Sequence, residues 1–133
     1  MKRAILVHIL LACCLGMASA SDLKAAAPDP HQVIESRAFL KDLLTNNYAL
    51  AVQRFDPTMS RSMSVQQLSA AWQEVLSTAG PFQKLLDYSL AKDKQYDIVD
   101  LHCSFARGNL IVRLVFDHEL KIAGLYFRPE QKQ

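Results

Sequence analysis

Asp100 and His102 are the residues whose types and spacing come nearest to a catalytic pair. They lie two positions apart in an alternating segment, so both side chains point to the same face of a β-strand. A carboxylate that orients a histidine is the arrangement of a general base with its partner. Val99, Leu101 and Phe105 occupy the opposite face and predict that the pair points away from the apolar core. We therefore assign no catalytic residue and expect His102 at a solvent-facing surface or an interface.

Cys103 does not extend this pair into a nucleophilic or metal-binding site. Adjacent strand residues point to opposite faces, so His102 and Cys103 cannot ligate one ion from a regular strand. No cationic residue is placed to lower the pKa of Cys103, and a free cysteine commonly packs as a small hydrophobe. His31 and His118 show no ligand spacing, and the sequence contains no phosphate loop and no hydrolase or metalloprotease motif. We expect a buried Cys103, with no metal and no cofactor.

The first twenty residues are typical of a secretory signal. A basic start precedes an apolar run, and Ala18-Ser19-Ala20 provides the small residues needed for cleavage after Ala20. The apolar run is shorter than the ~20 residues needed to cross a bilayer, which favours a signal over a membrane anchor. Leu10-Leu11-Ala12-Cys13 also resembles a lipobox, so a lipoprotein is the alternative. We expect a secreted or periplasmic protein that is attached to a membrane only if Cys13 is lipidated.

Removal of this leader changes the charge and cysteine counts. Lys2 and Arg3 are two of the 15 basic residues, and all 13 acidic residues follow the leader, so 13 residues of each sign remain. A neutral domain lacks the electrostatic footprint of a nucleic-acid-binding protein, and we expect no nucleic-acid partner. Cys13 and Cys14 leave with the leader, so Cys103 has no partner for an internal disulfide. The domain must therefore depend on its apolar core.

The remaining chain begins with helix signals. Residues 21–28 are small and polar and are expected to be a disordered lead-in. Asp29-Pro30-His31-Gln32 then predicts an aspartate cap, a proline in the first turn and a helix to about Thr45. Its inward-facing residues are predicted to be Val33, Leu40, Leu43 and Leu44. A second helix should run from Tyr48 to Phe55 and end at Asp56-Pro57.

The third predicted helix is the most sharply delimited. After a polar connector over residues 58–63, Ser64 and Gln67 have the spacing of a capping box. The apolar residues that recur at helical spacing are Leu68, Trp72, Val75 and Leu76. Gly80 supplies a positive φ at the end of the helix, and Pro81 prevents another turn.

From Phe82 onward the hydrophobic period changes from helical to alternating and predicts four antiparallel strands. One face of the first strand is predicted to carry Phe82, Leu86, Tyr88 and Leu90. The next three strands are expected over residues 96–106, 110–116 and 122–128. Residues 130–133 form a charged tail. Helices grouped before strands predict an α+β domain over residues 29–129, with three helices packed on a curved four-stranded meander that encloses a conical cavity.

Two surfaces of this fold are predicted to bind other molecules. Large side chains that face the cavity are the ligand-pocket candidates: Tyr48, Trp72, Tyr88, Leu101 and Phe105. For Trp72 and Tyr48 we favour core packing over a ligand pocket, because aromatic side chains dominate core burial, and the pocket is the alternative. The third strand is apolar on both faces, so its outer face is covered by a second copy or another protein, or is shielded by its neighbours. The interface candidates are Ile111, Arg113, Val115 and His102.

The chain also resembles a known family. The residues that carry the resemblance are Tyr48-Ala49-Leu50-Ala51, Phe55-Asp56-Pro57, Leu68, Ala71-Trp72, Gly80-Pro81-Phe82, residues 112–117 and Ile122-Ala123-Gly124-Leu125. The family comprises small secreted bacterial domains of unknown function, found alone or upstream of α/β-hydrolase domains, in the nuclear-transport-factor-2-like superfamily. The resemblance spans about Val33 to Arg128 and implies a cone-shaped α+β fold. It implies no catalytic residues, because none are established for the family.

Two functional hypotheses follow. The first is a non-enzymatic binding module that takes an apolar small ligand in the cone or a protein partner on the sheet, as a homodimer. The second is a small enzyme of the isomerase or hydratase type, in which Asp100, His102, Tyr88 or Tyr126 supply acid and base. We prefer the first, because the helix-facing strand positions are apolar and present no convergent polar set.

Overall fold

The computed structural model describes residues 29–131 as four helices followed by four strands. The helices are α1 (His31–Leu44), α2 (Tyr48–Gln53), α3 (Pro57–Ser62) and α4 (Val65–Ala79). The strands are β1 (Phe82–Asp93), β2 (Tyr96–Phe105), β3 (Gly108–Phe116) and β4 (Ile122–Pro129). They form one antiparallel sheet in the order β1-β2-β3-β4, which confirms an α+β fold with N-terminal helices over a four-stranded sheet. The predicted signal, lead-in and lipidation site lie outside the described residues.

This part of the chain contains one helix more than the three predicted. The segment expected to be a polar connector forms α3, because Asp56 accepts a hydrogen bond from the Met59 amide (2.6 Å) and Pro57 occupies the first turn. The chain before it leaves the helical conformation and pairs with the start of β4. Asp56 donates its amide to Ile122 O (2.9 Å), and Ile122 donates to Arg54 O (2.8 Å). This short crossing therefore covers the first part of the β4 edge.

The start of α1 also differs from the prediction. Its N-cap is Pro30, and no side chain caps the helix. Asp29, the predicted cap, accepts a hydrogen bond from the Tyr88 hydroxyl instead (3.0 Å). Gln32, predicted to reach back to the cap, donates its side-chain amide to Asp97 (2.9 Å). Asp29 and Gln32 thus bond to side chains of the sheet, and their polar atoms do not cap α1.

The core lies between the helices and one face of the sheet, called here the inner face. Its largest fully buried side chains are Trp72, Phe39, Phe116, Leu43, Leu68, Leu101, Leu114 and Ile122. Leu44, predicted to face inward, is 40% exposed, whereas Phe39 is fully buried and packs 6.0 Å from the Phe55 ring. The buried stripe of α1 follows positions 36, 39, 40 and 43, so Leu44 lies at its edge.

The inner face of β1 agrees with the prediction at Phe82 and Tyr88 but carries Leu85 where Leu86 was predicted. Three pairs cross from β1 to β2 on this face: Phe82 with Phe105, Leu85 with Cys103 and Tyr88 with Leu101. Register shifts between residues 82 and 84 and between residues 85 and 87 are bulges, each of which inserts an extra residue and changes the phase of the alternation. Leu86 falls in the second bulge and is 46% exposed, so it does not share the inner face with Phe82 and Tyr88 as the regular alternation predicts. Leu90 pairs with Val99 but is 50% exposed.

Helix α4 has the two ends that the sequence predicts. Ser64 Oγ accepts the Gln67 amide (3.2 Å), and Gln67 Oε1 accepts the Ser64 amide (2.8 Å), which completes the capping box. At the other end Gly80 has φ +83° and donates its amide to Leu76 O (2.9 Å). A Cβ at Gly80 would lie 2.8 Å from Ala106 Cβ. The turn from α4 into the sheet therefore requires glycine both for its φ and for its lack of a side chain.

Replacement of Gly80 by alanine tests this requirement. We expect Gly80→Ala to lower the free energy of unfolding by about 1–3 kcal/mol, because the new Cβ meets Ala106 and φ is unfavourable for an L-residue. Urea unfolding followed by circular dichroism measures the change. Ser77→Ala, at an exposed position of the same helix, is the matched control and should change stability by less than about 0.5 kcal/mol. Equal effects of the two substitutions would contradict the assignment.

Candidate functional site

A cleft of about 590 Å³ opens between α4 and the ends of β3 and β4. The α4 wall consists of residues spaced by three and four positions: Ala71, Glu74, Val75, Thr78 and Ala79. The sheet contributes Gly108, Asn109 and Leu110 from β3 and Phe127 and Pro129 from β4, and the remaining lining residues are Arg107 and Glu130. The walls are mainly apolar, the charged groups are few, and the volume is in the usual range for a small-molecule site.

The cleft exists because α4 carries one very large side chain next to several small ones. The Trp72 ring lies 6.0 Å from the Phe105 ring and 5.8 Å from the Phe127 ring, between ring centroids. It fills the space between the middle of α4 and the inner face of the sheet. Along the neighbouring stripe, Ala71 and Val75 are too short to fill the space towards the ends of β3 and β4. The size difference between these neighbours produces the opening.

Arg107 is fixed at the cleft by the end of α4. Its Nε donates to Thr78 O (3.2 Å) and its Nη2 donates to Ser77 O. Carbonyl groups at a helix C-terminus carry partial negative charge and lack partners within the helix, so a guanidinium satisfies them. The side chain is exposed and is held in one orientation by two bonds.

Asp100 occupies the opposite face of the sheet, called here the outer face. Arg113 donates to both carboxylate oxygens from Nε and Nη2 (2.7 Å each), and Arg128 Nη2 donates to Oδ2 (3.3 Å). Burial opposes ionisation of this carboxyl, but the hydrogen bonds and charges of Arg113 and the charge of Arg128 outweigh it and lower the pKa of Asp100 below its ordinary value. The carboxylate is thus an ionised member of an ion-pair network.

His102 shares the outer face with Asp100 but bonds to other groups. Its Nδ1 lies 2.9 Å from Glu130 Oε1, and its Nε2 lies 3.3 Å from Ser89 Oγ. The pair thus points away from the core, as the alternation predicts. Asp100 and His102 bond to different side chains and not to each other, so Asp100 does not orient His102 as a general base.

The five ligand-pocket candidates lie in the core or at its margin. Trp72, Leu101 and Phe105 are at most 3% exposed. Tyr48 is partly buried and donates its hydroxyl to Asn46 Oδ1 (3.0 Å). Tyr88 is also partly buried, and its hydrogen bond to the Asp29 carboxylate, together with partial burial, raises its pKa. None of the five lines the cleft, and a binding role for them stays a prediction.

The four interface candidates lie together on the outer face. His102 pairs with Ile111 across β2 and β3, Arg113 lies between Asp100 and Tyr126, and Val115 lies between Ile98 and Gly124. All four are partly exposed, and Tyr126 is 58% exposed. On β3 the inward residues Val112, Leu114 and Phe116 are fully buried. An interface role stays a prediction.

The residues that form the cleft are absent from the sequence-based candidate set. Ala71, Val75 and Ala79 form a stripe of small side chains at intervals of four beside the bulkier face of Leu68 and Trp72. That difference in size was the available signal, because a narrow stripe of small residues leaves a gap where the rest of the helix is packed. Phe127 and Arg107 join the stripe only through tertiary structure.

Cys103 is fully buried, as predicted. Burial raises the pKa of its thiol to about 11, so the thiol stays protonated at neutral pH. Within residues 29–131 no three His, Cys, Asp or Glu side chains are grouped to hold a metal ion. In the same range, no helix has the length and apolar character needed to cross a bilayer.

The chain matches the model of a protein family. The family described as "Protein of unknown function (DUF3887)" matches residues 36–125, which extend from α1 into β4. The chain belongs to this family. The matched range includes the α4 wall of the cleft, Arg107 and the outer-face network up to Arg113.

Among curated proteins, the chain is similar to Esterase EstD of Thermotoga maritima. The two are 26% identical over 98 residues, which are 74% of this chain and 24% of the esterase. The chain therefore spans about a quarter of the length of this relative. No solved structure matches the chain significantly.

Replacement of Asp100 tests the outer-face network through its pH dependence. We expect Asp100→Asn to lower the free energy of unfolding at pH 7 by about 1–3 kcal/mol, because Arg113 and Arg128 lose their carboxylate partner. The folded pKa of Asp100 is depressed, so its contribution is complete above the unfolded pKa of ~3.9 and is lost as pH falls through the folded pKa. Urea unfolding at pH 7 and at pH 3 measures both values.

The difference between wild type and Asp100→Asn should therefore shrink at the lower pH. Asp93→Asn, at an exposed position at the end of β1, is the control and should have little effect at either pH. A difference for Asp100→Asn that is the same at both pH values would refute the ion-pair assignment.

Proposed function

We propose that the protein is a non-enzymatic, secreted or periplasmic module that binds an apolar small ligand in the cleft between α4 and the ends of β3 and β4. The observation that carries this proposal is the cleft itself, with its volume of about 590 Å³ and walls formed by Ala71, Val75, Leu110 and Phe127. Burial of apolar ligand surface against such walls contributes about 25 cal/mol per Å², and the few charged groups fix orientation. The proposed site replaces the aromatic cone of the sequence-based hypothesis.

The proposal includes two points that concern the whole chain. Four helices followed by an antiparallel sheet support a place in the nuclear-transport-factor-2-like superfamily. The basic, apolar and small-residue segments of the first twenty residues support secretion, with lipidation at Cys13 as the alternative.

The similarity to an esterase supports a role in binding ligands related to ester hydrolysis. The relative's name describes the hydrolysis of esters, and this chain matches 24% of that protein. We propose that the shared domain binds the apolar part of an ester or of its products and leaves the hydrolysis to other parts of the esterase.

The competing hypothesis, a small isomerase or hydratase, needs an acid and a base in one cavity. Asp100 and His102 point to the outer face and are bonded to Arg113 and Glu130. The Tyr88 hydroxyl donates to the Asp29 carboxylate, and Tyr126 is the cross-strand neighbour of Arg113 on the outer face. These positions favour the binding module.

Filling the cleft tests the proposed site. N-phenyl-1-naphthylamine, an uncharged apolar dye, should bind the wild-type protein at one saturable site with enhanced emission. We expect Val75→Trp to weaken this binding by about tenfold or more, because the indole occupies the cleft. Ile34→Trp adds the same bulk at a 49% exposed position of α1 and should leave binding unchanged. Unchanged binding by a folded Val75→Trp variant would refute the proposal.

A separate observation supports a homodimer through the outer face. Val115, Ile111 and Ile98 are partly exposed there, and Tyr126 is 58% exposed beside them. We propose that a second copy covers these residues around the paired Asp100 and Arg113, with another protein as the alternative partner.

Sedimentation equilibrium of the wild-type protein at micromolar concentration tests the dimer. We expect twice the chain mass, and we expect Val115→Asp to give a single chain because a carboxylate enters the apolar contact. Leu86→Asp, at an exposed position in the β1 bulge, should leave the mass unchanged. A monomeric wild-type protein would exclude this arrangement.

A further inference from the structure

Arg107 differs from the other arginines that hold fixed positions in the fold. Those others pair with carboxylates: Arg37 with Asp29, Arg54 with Glu35 and Asp42, and Arg113 and Arg128 with Asp100. Within the described residues Arg107 has no such partner and donates to Ser77 O and Thr78 O instead. These two bonds use the Nε hydrogen and one Nη2 hydrogen. Three of its five N–H donors, including both on Nη1, are left for another acceptor.

The geometry of Arg107 suits it for binding an anion. Two bonds to the end of α4 fix the guanidinium, so little further side-chain freedom is lost when a ligand binds. Its planar arrangement of donors matches a carboxylate or phosphate group. The neighbouring Gly108 also lines the cleft, and a Cβ built there would meet no atom of the rest of the protein within 4 Å, so the cleft is open at this position.

The acidic residues of the cleft restrict the kind of anion. Glu74 lies four residues before Thr78 on α4, which places it about 6 Å along the helix axis from the residue that holds Arg107. Glu130 is directed to His102 (2.9 Å). Arg107, Glu74 and Glu130 all line the cleft, so each negative charge on a ligand is attracted by one group and repelled by two, and a singly charged head group is repelled less than a doubly charged one.

We propose that the cleft binds an amphiphile with a carboxylate head, placing the head group on Arg107 and the apolar chain along Ala71, Val75 and Phe127. This inference rests on the proposed function, since it names the ligand class of the same cleft. Arg107 supplies charge and direction, and the apolar walls supply the contact area. A long-chain carboxylic acid has both features in one molecule.

Three probes with the same ten-carbon chain test the head group: decanoate, 1-decanol and decyl phosphate. Binding is measured by isothermal titration calorimetry and by the fluorescence of Trp72, the single tryptophan, whose ring lies 5.8 Å from that of Phe127 in the cleft. We expect decanoate to bind about tenfold more tightly than 1-decanol, as a charge-assisted hydrogen bond at a partly solvated site provides. Added salt should reduce this advantage.

Substitution of Arg107 measures the contribution of the head group to affinity separately from that of the apolar walls. We expect Arg107→Gln to lower decanoate affinity to that of 1-decanol and to leave 1-decanol affinity unchanged. Arg107→Lys, which keeps the charge, should retain part of the preference for decanoate. Arg61→Gln removes an exposed arginine of α3 outside the cleft and should change neither affinity. Thermal unfolding of each variant confirms that it is folded at the temperature of measurement.

The outcomes distinguish this inference from the proposed function. If Val75→Trp abolishes binding of decanoate and 1-decanol while Arg107→Gln leaves the preference for decanoate intact, the cleft is correct and the head-group assignment is wrong. If decyl phosphate binds more tightly than decanoate and depends on Arg107, the choice of a carboxylate is overturned. If none of the three probes binds the wild-type protein although the apolar dye does, the inference fails and the proposed function stands; if the dye does not bind either, both fail.

Discussion

The indole of Trp72 determines how far α4 stands from the sheet. It is 1% exposed, and its ring is in contact range of Phe105 near the end of β2 and Phe127 near the end of β4. A close-packed interior leaves no room to move such a ring aside, and its removal would cost about 3–5 kcal/mol. The separation that it imposes continues along the helix, where the neighbouring side chains are too small to fill it. Core stability and the cleft therefore depend on the same residue.

The polar network on the outer face supports the same region from the other side of the sheet. Asp100 in β2 is bonded to Arg113 in β3 and Arg128 in β4, so one carboxylate connects three strands. His102 holds Glu130, whose amide donates to Asn109 O (3.1 Å). Because Asn109 and Glu130 also line the cleft, bonds made on the outer face position groups that a ligand in the cleft would meet.

Local signals in the sequence were sufficient to predict the elements whose ends and faces are determined by residues close to them in the chain. The capping box of Ser64 and Gln67 defines the start of α4, and strict alternation defines the faces of β2 and β3. Prediction failed where a distant residue competes for a polar atom, as when Tyr88 takes the Asp29 carboxylate that would otherwise cap α1. It also failed at β1, where two bulges change the phase without a glycine or proline to mark them.

The cleft escaped prediction for a related reason. An apolar residue on a helix is equally consistent with a packed core and with the wall of a cavity, and helical spacing places Val75 only on an apolar face. Only the tertiary arrangement brings it opposite Leu110 and Phe127. The role of Arg107 depends likewise on the carbonyl groups of Ser77 and Thr78, about thirty positions earlier in the chain.

The bulges of β1 have a consequence for how the molecule behaves at high concentration. An open sheet has two edges, and a long flat edge invites the backbone of another chain to add to it, as in cross-β fibres. The bulges interrupt the β1 edge, which also carries exposed Lys84, Asp87 and Lys92. At the other edge, the crossing at Arg54 covers the first residue of β4, and Pro129 removes a donor at its end. These features oppose strand addition at both edges, although the sheet is open.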